Sequence, residues 1–129
     1  MEDFNADVAG ACALVCTEPV TKAALEKIAR EERSHADFSW AVLDWLLMTH
    51  PGVVVPVLAK GIEMVRGLPR PVAVVPDKAR LVAEADVAEL RSHGRIADTE
   101  WAVMWQARLR ETERRLRERL DHHSPRFAA

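Results

Sequence analysis

The sequence has no tyrosine and only five glycines. Alanine, leucine, glutamate and arginine are plentiful instead, and that balance favours helix. No charge of one sign dominates: the formal net charge is −2, which removes the electrostatic case for nucleic acid or an anionic membrane as partner. No long hydrophobic run is present. The most apolar stretch, "WAVLDWLLM", is short and is interrupted by Asp44, so no membrane span is expected. The N-terminus "MEDFNADV" is acidic and lacks the apolar run of a signal peptide. Of the two cysteines, Cys12 and Cys16 lie one helical turn apart. Thiols at that spacing in a helix rarely bridge, so both read as small apolar packers in a reducing cytoplasm.

What is present fits one domain. Residues 1–50 read as a helical hairpin, 51–97 as short helices with a proline-rich loop, and 98–121 as a C-terminal helix; the chain is expected to be all-α. An Ala-rich helix runs from Glu2 to about Cys16. Pro19 opens a second helix, with Thr17 or Glu18 as its cap, and "THPG" closes it near Thr49. Its inner seam is expected at Leu25, Ile28, Glu32, His35, Ser39, Val42 and Leu46, a 3-4 spacing. "VVVPVLAKGIEMVRGL" has β-branched residues, but Pro56 and the Leu58/Ile62 spacing favour a short helix. "GLPRPVAVVPD" is a loop, and "ARLVAEADVAELRSHG" a weaker helix ending at Gly94. Asp98 is expected to cap the last helix, whose stripe is Ala102, Trp105, Leu109, Thr112, Leu116 and Leu120. Its Arg- and Glu-rich far end reads as solvated, and "HHSPRFAA" as a frayed tail.

The seam carries an unusual pair. Glu32-x-x-His35 puts a carboxylate and an imidazole on one helix face. Such a pair can hold one metal ion, and the ligand types suit iron, manganese or zinc. A lone Glu from a neighbouring helix would complete half of a bundle di-iron site. Counting from the hairpin turn near Glu18, Glu2 and His35 both lie about 25 Å away at ~1.5 Å per residue. Antiparallel packing therefore brings them level, and Glu2, Glu32 and His35 form the candidate ligand set. Asp3 is close but faces elsewhere.

Here the chain resembles a family. "ALEKIAREERSHADFSWAVLDWLL" is similar to the second metal-binding helix of bacterial ferritin-like di-iron proteins, in which an Ala-rich helix carries "DE-x-R-H-A" before an aromatic-rich continuation. "TEPVTKAAL" resembles their short connection, and "SHGRIADTEWAVMWQARLRETERRLRERL" resembles, more loosely, the C-terminal helix of some members. The resemblance implies a ferritin-like half-bundle, with Glu32 and His35 as iron ligands and Glu2 matching the lone acid. It implies an iron-dependent oxidase or iron-handling role, with no catalytic residue assigned. Full bundles carry two Glu-x-x-His pairs, and this chain has one. Either two chains pair their hairpins into a homodimer, similar to encapsulated ferritins, or the chain is the C-terminal half of a longer ancestor, with the N-terminal half-bundle missing and the metal site lost.

Blander readings stand beside these. Glu32 and His35 can be a structural ion pair or a solvated turn. Asp37 and Asp44 read as outward-facing, and His122 and His123 as an exposed terminus able to scavenge metal weakly. Trp40, Trp45, Trp101 and Trp105 read as core or interface residues. The competing function is a metal-free helical scaffold or interaction protein derived from the same fold.

Overall fold

The computed structural model describes residues 2–72, 74 and 76–124. Among them are six helices and no strand, so the chain is all-α: α1 (Glu2–Val15), α2 (Pro19–Thr49), α3 (Pro51–Val65), α4 (Pro76–Glu84), α5 (Val87–Ser92) and α6 (Asp98–His123). No helix among the described residues is long and apolar enough to cross a membrane.

The helix boundaries follow from local chemistry. Glu2 and Asp3 place negative charge in the first turn of α1, where the helix dipole favours it. Glu18 rather than Thr17 supplies the side-chain cap of α2: its Oε1 accepts the Val20 N–H at 3.1 Å and its Oε2 the Thr21 N–H at 2.6 Å. The bond from Thr21 above all holds the Glu18 carboxyl below the usual carboxylate range. His50 separates α2 from α3. Its N–H closes α2 on the Leu46 carbonyl (2.8 Å), and its own carbonyl accepts from Val53 and Val54 (both 3.1 Å). Pro51 then occupies the first turn of α3, where a missing N–H costs nothing.

Two boundaries differ from expectation. The segment read as one helix up to Gly94 is two, because Asp86 caps α5 by accepting the Glu89 N–H at 2.9 Å. Asp98 is the first residue of α6 and not its cap. The cap position falls on Ala97, whose carbonyl accepts the Trp101 N–H (3.0 Å) and whose N–H donates to Glu100 Oε2 (2.7 Å). Glu100 thus plays the reaching-back half of a capping box.

The described chain divides into two compact units: Met1–Ala36 with Arg70–Trp105, and Asp37–Pro69 with Gln106–Ala129. In the first, Phe4, Ala6, Ala9, Ala13, Cys16, Ala36, Ile96 and Trp105 are buried. Phe4 meets Trp105 and Trp101 edge-on, with ring centroids 4.9 and 5.4 Å apart. The end of α5 is tied to the hairpin turn, where the Thr17 and Glu18 N–H groups donate to the Ser92 carbonyl (2.8 and 3.2 Å). Gly94 follows with φ +93°, and a Cβ there would stand 2.6 Å from Leu25 Cδ1 and 3.2 Å from the Cys12 carbonyl oxygen. Only glycine meets both demands cheaply. Both cysteines are free: Cys16 is buried and Cys12 half-buried, and burial above all raises the Cys12 pKa.

In the second unit the core is Leu47, Leu58 and Ile62, flanked by Leu43, Val54, Val55, Leu116 and Leu120. Pro56 lies inside α3 but leaves the helix continuous. The expected stripe of α6 is present: Trp105 and Leu109 are buried, and Ala102, Thr112, Leu116 and Leu120 are half-buried.

The far end of α6 is not simply solvated. Glu113 is 7 % exposed. It accepts from Arg66 Nε (2.7 Å) and Arg117 Nε (2.9 Å), and these bonds, Arg66's first, hold its carboxyl below the usual range. His122 and His123 belong to the last turn of α6. The rest of the expected tail, beyond residue 124, lies outside the described residues.

The largest departure is the face of α2. Of the expected seam, Ile28, His35, Ser39 and Val42 are exposed, while Leu25, Glu32 and Leu46 are half-buried. The better-covered row is Leu25, Ala29, Ala36, Trp40, Leu43 and Leu47. Beyond Leu25 each of these lies one residue after an expected seam position, a rotation of about 100°. The reason lies in side-chain size. α1 buries Ala6, Ala9 and Ala13, so the hairpin closes through small residues. Ile28 or His35 in that seam would hold the two backbones apart.

Candidate functional site

The candidate ligand set sits on the α1–α2 hairpin. Asn5 Nδ2 donates to Glu32 Oε2 at 3.3 Å. Three residues back along α1 and three forward along α2 from that contact, Glu2 and His35 stand level. Level along the axes is not the same as facing. Glu2 and Glu32 are half-buried, but His35 is exposed. The same one-residue rotation of α2 that removes Ile28 from the seam turns His35 outward.

The residue turned toward α1 at this height is Arg33. Its Nη1 donates to Asp3 Oδ1 at 2.6 Å and its Nη2 to Asp7 Oδ1 at 2.7 Å. Both carboxylates are better covered than the arginine: the side chains of Asp3 and Asp7 are 12 % and 25 % exposed against 41 % for Arg33. A planar guanidinium suits this task because its two terminal nitrogens reach two carboxylates at fixed separation. Asp3 therefore faces α2, contrary to the sequence expectation.

Arg33 already supplies the positive charge between the helices, and Glu32 accepts from an amide. Among the described residues, no group of three or more His, Cys, Asp or Glu could hold a metal ion. Within one chain, Glu2, Glu32 and His35 are thus not gathered into such a group.

A second polar cluster lies on α2 and α6 in the second unit. Arg119 grips Asp44 with Nε on Oδ1 (2.5 Å) and Nη2 on Oδ2 (2.9 Å), which lowers the Asp44 pKa. Asp44 is half-buried and paired, not outward-facing. The guanidinium carbons of Arg115 and Arg119 lie 4.0 and 4.7 Å from the Trp40 ring centre. These stacked cations help hold α6 to α2. A shallow depression beside them is lined by Asp44, Met48, Glu118, Arg119, His122 and His123. Its Asp44 is occupied by Arg119, and the two imidazoles pack edge-on against each other, 4.9 Å apart.

Sequence reasoning missed Arg33, Asp7 and Glu113. The signal for Arg33 was available in charge pattern: Asp3 and Asp7 are one turn apart on α1, and a bridging cation is the natural partner for such a pair. No family model matches the chain, and no curated protein or solved structure is significantly similar to it. The ferritin-like resemblance rests on its motif residues alone.

Proposed function

We propose that this chain is a metal-free helical interaction module, built on a hairpin of ferritin-like type whose cation is its own Arg33. The observation that carries the reading is the bridge from Arg33 to Asp3 and Asp7. A metal ion at Asp3 and Asp7 would have to displace the guanidinium that already pairs with both. Exposed apolar side chains on α2 and α3, including Phe38, Trp45, Met48, Val53, Val57 and Met64, give the module surface on which to bind a partner.

The second reading is a di-iron protein with oxidase or iron-handling chemistry, completed by a second chain. It draws on one feature: His35 is exposed, and it stands level with Glu2. Glu2, Glu32 and His35 of two chains would then hold iron between them, and O₂ would be reduced there. The two readings separate on iron content. After anaerobic ferrous loading and desalting, elemental analysis of the full chain is expected to give far less than one iron per chain, unchanged in Glu32→Ala. About one iron per chain, lost in that variant, would establish the di-iron reading instead.

A further inference from the structure

We draw no further inference here: the strongest candidate, the row of exposed apolar side chains Phe38, Val42, Trp45 and Met48 on the outer face of α2, is an unpartnered helix face, and nothing in the structure shows what covers it.

Discussion

Trp105→Ala is expected to be the most damaging single substitution in the first unit, costing about 3–5 kcal/mol. Trp105 is 2 % exposed and is among the largest fully covered side chains. Its removal takes away the largest apolar surface in that core, together with its edge-on contact to Phe4 at 4.9 Å. The void would be lined partly by α1, whose buried positions are mainly alanines with no spare length to fill it. Single domains are stable by only about 5–15 kcal/mol, so a loss of this size is a large fraction of the total. Equilibrium urea unfolding measures it directly: the midpoint should fall steeply with little change in slope. A loss below about 1 kcal/mol would mean that this region is not a packed core.

Leu47→Ala is expected to cost about 2–5 kcal/mol, with Val42→Ala and Met48→Ala within about 0.5–1 kcal/mol of the unmodified chain as a monomer. Leu47 has no exposed surface and packs in the cluster with Leu58 and Ile62. Met48 is its immediate neighbour and is 75 % exposed. Adjacent residues on one helix should therefore differ several-fold in cost. The comparison is made at low concentration, because association through exposed apolar side chains would add to apparent stability. Thermal melts at a concentration where the chain is monomeric settle it. A cost at Val42 that matches or exceeds the cost at Leu47 would mean that position 42 lies in the core, where the expected seam had it.

That seam shows where the sequence was legible and where it was not. Breakers are local and were readable: Pro19 and Pro51 start helices, and Gly94 closes α5 with a positive φ. The stripe of α6 was readable too, because Trp105, Leu109, Leu116 and Leu120 are large and lie on one face only. α2 carries two apolar rows, and the more hydrophobic one faces out. Periodicity weighs Ile28 and Val42 above Ala29 and Ala36, but a tight hairpin selects the small residues. The Asp86 cap was missed inside an apparently continuous helix, though Asp86 followed three residues later by Glu89 is a recognisable helix start.

The same register decides how the candidate site residues are exposed. His35 was expected in the seam together with Ile28, and one slip of register turns both outward, while Glu32 stays half-buried against Asn5. The level of Glu2 against His35 depends on chain length from the turn at Glu18. The facing of His35 depends on which row of α2 meets α1, and that was set by alanines carrying no chemical signal. Arg33 is legible only from the charge pattern: two aspartates one turn apart call for a cation as much as a glutamate calls for a metal.

The central claim is that the hairpin is completed by Arg33 and has no need of a metal. A ligand that binds only the folded chain must raise its melting temperature, by about 2.7 kcal/mol of added stability at a hundredfold excess over its dissociation constant. The direct measurement is therefore the thermal melt of the full chain under anaerobic conditions, with and without excess ferrous iron. The account predicts superimposable curves. An iron-dependent rise of several degrees that disappears in Glu32→Ala and in His35→Ala would contradict it.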